Sequence, residues 1–165
     1  MQALLEAAAD AGFHGSEAVG VCKDVLSDNS SPNVLKIEVL RFVSLAFSEG
    51  SAPELMQHLS ELAPCLKRSL QDRYYKVVAE AVGVVERSAV AGAGVGGAEH
   101  GAIFQDLFLS VLELLKAKDV DQEVKECSIR CAGLSILLCI DTSSHVTTVA
   151  LLKQHDAAQG RTACV

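Results

Sequence analysis

The chain has 165 residues, a single-domain length. Half are apolar, 4% are aromatic and none is Trp, a composition of packed Leu, Val, Ala and Ile helices rather than of a β-sandwich. Fourteen basic against 21 acidic residues leave a net charge of −7, which argues against nucleic acid as a partner, because that role needs a basic face to displace counterions.

Gln2 to Ala9 reads as a helical fragment and Ser16 to Leu26 as a weak helix. A firmer helix spans Asn33 to Ser48. Pro53 to Leu70 carries Leu55, Met56, Leu59, Leu62, Leu66 and Leu70 on one 3.6-period stripe. It opens on a capping box in which Ser51 and Glu54 are expected to satisfy first-turn amides. Pro64 is the expected kink within it. Another helix covers Arg73 to Ala89. Ile103 to Lys118 places Phe104, Leu107, Phe108, Val111, Leu112 and Leu115 on one stripe, with Ile103, Leu109 and Leu114 widening it, so neighbours are expected on more than one side. Gln122 to Ile140 is the last helix. No segment alternates with period two, so the fold class is all-α.

The longest charge-free apolar stretch, Cys131 to Ile140, is ten residues, where a spanning helix needs about 20. Glu6 and Asp10, with no basic residue nearby, are the opposite of a signal peptide. An intracellular chain with no membrane partner is expected, and Asn29-Ser30-Ser31 is then only a turn. Cys22, Cys65, Cys127, Cys131 and Cys139 lie in apolar helical stretches and Cys164 in a polar tail. All six are expected to be reduced, the helical ones serving as small hydrophobes.

The helices repeat. Asp72-Arg73-Tyr74-Tyr75-Lys76 and Asp121-Gln122-Glu123-Val124-Lys125 share an Asp, two residues, a large apolar residue and Lys, and Pro32-Asn33-Val34-Leu35-Lys36 is a looser copy. The lysines are 40 and 49 residues apart, the longer interval holding the Gly-rich stretch Ala91 to Ala98. Forty-odd residues per helical pair is the period of HEAT and armadillo arrays. The chain is therefore expected to be a right-handed α-α superhelix of about three HEAT units, roughly 1–49, 50–90 and 100–140, with an exposed loop at 91–98. Residues 141–165 form a degraded repeat or disordered tail. Asp72 and Asp121 are expected to cap the second helix of their units. Lys36, Lys76 and Lys125 are expected to occupy equivalent places in an inter-unit ladder.

Val120-Asp121-Gln122-Glu123-Val124-Lys125-Glu126, preceded by Leu115-Lys116-Ala117-Lys118-Asp119, closely resembles the cullin-associated, neddylation-dissociated proteins. Leu35 to Leu40 and Asp72 to Ala81 fit the same region of that family in the same order. The resemblance covers Pro32 to Ile140 and points to an interior segment. Val146 to Leu152 resembles a later helix of the family, without the helix that should precede it. The resemblance implies a HEAT-repeat scaffold that binds a cullin–RING subunit complex in cytoplasm and nucleus and promotes substrate-receptor exchange and SCF complex assembly. Period and composition alone would also fit an importin-like or phosphatase-scaffold-like array.

No constellation supports an enzyme, a cofactor, a metal or a small-molecule substrate. Gly92-Ala93-Gly94-Val95-Gly96-Gly97 matches a dinucleotide fingerprint, yet a helix rather than a strand precedes it. Cys127 and Cys131 share a helix face without two further zinc ligands. Ser135 lies in Gly133-Leu134-Ser135-Ile136-Leu137, which lacks the second glycine of a nucleophile elbow, and is expected to be buried. Second helices usually line the inner surface of such arrays, so Arg41, Arg73, Glu80, Glu86, Arg87 and Arg130 are the candidate partner-facing residues.

Overall fold

The computed structural model describes residues 15–48, 51–92 and 98–141. The expected fragment at Gln2 to Ala9, residues 93–97 of the glycine-rich stretch and the tail from 142 onward lie outside them. Seven helices stand among the described residues: α1 Gly15–Ser27, α2 Asn33–Ser48, α3 Ala52–Gln57, α4 Leu59–Ser69, α5 Tyr75–Gly92, α6 Ala98–Lys116 and α7 Gln122–Asp141. They pair as three hairpins, α1 with α2, α3–α4 with α5, and α6 with α7. The hairpins stack in two layers. In the first, α1 lies on α4 and α4 on α6; in the second, α2 lies along α5 and α5 along α7.

The layers are glued by apolar stripes at helical spacing. Leu55, Leu59, Leu62, Leu66 and Leu70 of the α3–α4 segment and Leu107 of α6 are all fully buried, each such side chain contributing about 1.5–3 kcal/mol of burial. In the second layer the stripes are Lys36, Leu40, Val43 and Phe47 on α2; Val77, Ala81, Val84 and Ser88 on α5; and Val124, Ser128 and Cys131 on α7. All three run n, n+4, n+7, the spacing that keeps one helix face on a neighbour. Their first members are 41 and 47 residues apart, inside the range of HEAT and armadillo units.

These stripes correct the expected register. Lys36 stands on the stripe, with only 7% of its surface exposed. Lys76 precedes Val77 and is exposed, its ammonium 5.9 Å from the Tyr75 ring centre; Lys125 follows Val124 and is half-buried. The three lysines therefore face different ways. What recurs is the aspartate of each turn. Asp28 Oδ1 accepts from the Ser30 amide at 2.8 Å, Asp72 Oδ1 from the Tyr74 amide at 2.9 Å and Asp121 Oδ1 from the Glu123 amide at 2.9 Å. The copy of Asp72 in the first unit is Asp28, not Pro32.

Other expectations shift at the ends of elements. The stretch read as one helix from Pro53 breaks at His58, whose φ of −100° and ψ of 6° separate α3 from α4. Pro64 sits inside α4, which continues across it. The carbonyl that loses its partner to that proline belongs to Ser60, an exposed residue that water reaches. Ser51 makes no side-chain capping bond, because its ψ of 1° is not the extended backbone a cap requires. Pro53 in the first turn instead removes one of the amides that would need a partner. Ala91 and Gly92 close α5 and Ala98 opens α6, so the loop is shorter than 91–98. A Cβ on Gly92 would lie 2.5 Å from Phe104 Cε2, so a larger residue there requires the Phe104 ring of α6 to shift.

Lys36 Nζ donates to Asp72 Oδ2 at 3.1 Å, tying the first unit to the turn of the second. The corresponding stripe positions are Val77 and Val124, so the ammonium is an exception in an apolar row. Lys36→Met is expected to change stability by less than about 1 kcal/mol, whereas Asp72→Ala, which strands the buried ammonium and removes the turn's bond to the Tyr74 amide, should cost about 3 kcal/mol. Urea unfolding of both variants checks this, and equal losses would contradict it.

Candidate partner-binding surface

The residue before each stripe position points back along the array and the residue after it points forward. Ion pairs across the second layer fix this rule. Arg41, one after Leu40, donates from Nε to Glu80 Oε1 at 2.7 Å; Glu80 is one before Ala81. Arg130, one before Cys131, donates from Nε to Glu86 Oε2 at 3.0 Å on α5. Arg87 Nη1 reaches Ser48 Oγ on α2 at 2.5 Å. Hydrogen bonds to Glu80 and Glu86, ahead of charge attraction, hold the Arg41 and Arg130 guanidiniums above their ordinary pKa.

Five of the six candidate residues are thus brought together as an inter-helix polar ladder: Arg41, Glu80, Glu86, Arg87 and Arg130. The sixth is set apart. Arg73 is exposed in the turn before α5, where it lines a second groove between the turns 28–32 and 70–74 with Arg68 and the Lys36–Asp72 pair. The ladder borders an open groove of about 730 Å³ running over α2, α5 and α7. Its floor is low because α5 offers Ala79 and Gly83 there. Space around a Cβ on Gly83 is empty to 4 Å.

The first layer carries a ladder that sequence reasoning missed. Lys23 of α1 donates to Glu61 of α4 at 2.7 Å, and Lys67 of α4 to Asp106 of α6 at 2.8 Å. Its signal is a 44-residue echo, Glu17, Lys23, Leu26 and Asp28 against Glu61, Lys67, Leu70 and Asp72. All of these first-layer charges are well exposed, so each pair contributes at most about 1 kcal/mol.

The cysteines Cys22, Cys65, Cys127 and Cys131 are free thiols. Burial pushes Cys22 and Cys131 up to about 11, with the neighbouring Cys65 adding to the first and Glu86 to the second. Burial also raises Cys127, against the pull of Arg130. Ser135 is half-buried rather than buried and hydrogen-bonds Cys131. Cys22, Cys127 and Cys131 are therefore packing groups, protonated at neutral pH and poor nucleophiles. Among the described residues no group of three or more His, Cys, Asp or Glu side chains could hold a metal, and no helix is long and apolar enough to cross a membrane.

A stacked array of helical hairpins defines the class of helical-repeat proteins. Residues 13–132 match the family described as CAND1-like, TPR repeats, and the chain belongs to that cullin-associated family of helical-repeat scaffolds. It is 34% identical over 128 residues to cullin-associated NEDD8-dissociated protein 1 of Arabidopsis thaliana, covering 74% of this chain and 10% of that protein. The protein of the same name from Dictyostelium discoideum is 30% identical over 68% of the chain, and that from Drosophila melanogaster 32% identical over 66%, each covering 9% of the relative. The chain thus spans about a tenth of the length of the curated relatives it matches.

Two outcomes follow. Gly83→Ala adds helix propensity without a clash and should stabilise the chain by up to about 1 kcal/mol; a lower thermal midpoint would show that the groove floor is not open. Cys22 and Cys131 keep their protons in the folded state up to about 11, against 9.0 when unfolded. Their contribution is complete below pH 9 and is lost as the pH climbs through 11. The urea midpoint should fall across that window, and Cys22→Ala with Cys131→Ala should flatten the decline.

Proposed function

We propose that this chain is a segment of a regulator that binds cullin–RING ubiquitin ligases, in cytoplasm and nucleus, and promotes exchange of substrate receptors and SCF complex assembly. The observation that carries the proposal is the family match over residues 13–132, together with relatives whose names declare association with cullins and dissociation from NEDD8. The second-layer groove is compatible with that role, because a shallow, polar, multi-helix face suits a protein surface better than a small molecule. Exchange of this kind needs no bond to be made or broken. It requires only that the scaffold bind the ligase without a receptor more tightly than the ligase with one, and that each partner lower the affinity for the other by the same factor.

In an extended array the contact is spread over many units and each contributes a small share. Three units alone should bind a cullin far more weakly than the whole scaffold and should not drive exchange. The deciding experiment uses the full-length parent protein to capture cullin–RING complexes with and without the ubiquitin-like modifier attached. Capture of the unmodified complex and loss of capture on modification is the expected result. Equal capture of both, or of neither, would overturn the proposal.

A further inference from the structure

The groove between the turns 28–32 and 70–74 holds about 780 Å³, and both of its walls are among the described residues. Its charges differ from those of the groove over α2, α5 and α7. That groove is lined by Arg87 and Arg130 against Glu80, Glu86 and Glu123, whereas this one is lined by Lys36, Arg68 and Arg73 against Asp72 alone. Lys36 is taken up by Asp72, whose other oxygen accepts from the Tyr74 amide. Asp28, in the adjoining turn, gives its carboxylate to Ser30 and Ser31 and is not part of the lining. Arg68 donates from Nη1 to the Ser27 carbonyl at 2.5 Å, which holds its guanidinium at the end of α1 and leaves its other N–H groups for a further acceptor. Arg73 is exposed and has no hydrogen bond or ion pair among the described residues. Two positive charges are therefore left over at one place in a chain whose net charge is −7.

The repeat itself does not call for these cations. In the register of the first-layer echo the counterpart of Arg68 in the first hairpin is Asp24. In the third hairpin, with Leu62 and Leu66 set against the equally buried Leu107 and Val111, it is Glu113. Arg73, one after the turn aspartate, corresponds to Asn29 and Gln122, and Lys36 to Val77 and Val124. The places that carry cations here carry acids, amides and valines in the other units, so the positive groove is a local addition to the scaffold. We propose that it is a docking site for an acidic peptide segment of a partner protein, with Arg68 and Arg73 engaging carboxylates and Asn29 and Asn33 pairing with the peptide backbone. Planar guanidiniums match carboxylates two bonds at a time, and an asparagine amide offers the donor and the acceptor that an extended backbone needs. Two surplus charges are too few for nucleic acid, whose binding rests on many phosphate contacts. The site goes beyond the cullin reading and shares no lining residue with the second-layer groove.

The test is fluorescence anisotropy of the whole 165-residue chain with labelled Gly-Ser peptides of about ten residues, each carrying two glutamates at a different spacing. At least one spacing should bind about fivefold or more tightly than the same peptide with glutamines. Arg73→Gln, and separately Arg68→Gln, should bring that preference down to about twofold or less, and the double variant should abolish it. Arg73 is exposed and unpaired, so its variant should keep the helix content of the unaltered chain by circular dichroism. Lys67→Gln removes an exposed cation outside the groove and should leave the preference unchanged. The proposal is overturned if no spacing is preferred, if the preference survives loss of both arginines, or if Lys67→Gln lowers it as much as they do. It is also overturned if only phosphoserine peptides, or only an oligonucleotide, bind. No cullin enters the measurement, so its failure leaves the cullin reading standing, and failure of cullin capture leaves this one.

Discussion

Each second helix has one stripe that must be covered from the first layer and two flanks that must be covered by its neighbours. Only α5, among the described second helices, has all three. Its stripe of Val77, Ala81, Val84 and Ser88 and its forward flank of Val78, Val82 and Val85 are buried together, while its backward flank meets α2 through the polar contacts of Glu80 and Arg87. A helix apolar over so much of its circumference has little stability in isolation, since most helical stability in proteins comes from packing. The positions of α2 and α7 are consequences of that requirement, and through the hairpin turns so are those of α1 and α6. Loss of one unit would expose the flank of the next, the nearest-neighbour coupling that characterises linear arrays.

The charged residues follow from the same constraint. Where a flank is apolar, the ion pair retreats to its rim: Arg130 with Glu86 borders the valine-rich joint of α5 and α7. Where the flank is polar, the pair sits within the joint, as Arg41 with Glu80 does between α2 and α5. Five of the six residues that look like partner contacts in the sequence, all but Arg73, are therefore already engaged with a neighbouring helix. A partner meeting this face competes with those pairs and gains little from any one of them, so affinity must come from extent rather than from a single strong contact.

How much of this could be read from the residues depended on which force placed them. Helices α2 and α7 are set by dense apolar periodicity and were legible almost to the residue, α2 at Asn33–Ser48 as expected and α7 one residue longer, whereas α6 begins at Ala98, five residues before the expected Ile103. The break at His58 was not, because nothing in its own identity disfavours helix, while Pro64, which does, is tolerated at an exposed carbonyl. The repeated lysines do not mark equivalent places, because the second layer aligns by buried side chains, and the counterparts of Lys36 on the other two stripes are Val77 and Val124. The turn aspartates and the Glu17–Lys23 and Glu61–Lys67 echo were visible in principle. They were obscured by a five-residue turn, 28–32, in which the serines and Pro32 displace Asp28 from the start of α2.

The two second-layer joints differ in a way that locates the groove. Val78, Val82 and Val85 form the buried apolar flank of α5 on the side of α7, whereas the opposite side of α5 meets α2 through polar side chains, Arg41 to Glu80 and Arg87 to Ser48. The residue between the two bridges on α5 is Gly83. A larger residue there would fill the space the bridges span. The ladder and the missing side chain are therefore two parts of one arrangement: Ser44 and Ser48 of α2, Glu80, Glu86 and Arg87 of α5 and Arg130 of α7 border the groove, and Gly83 lies in its floor.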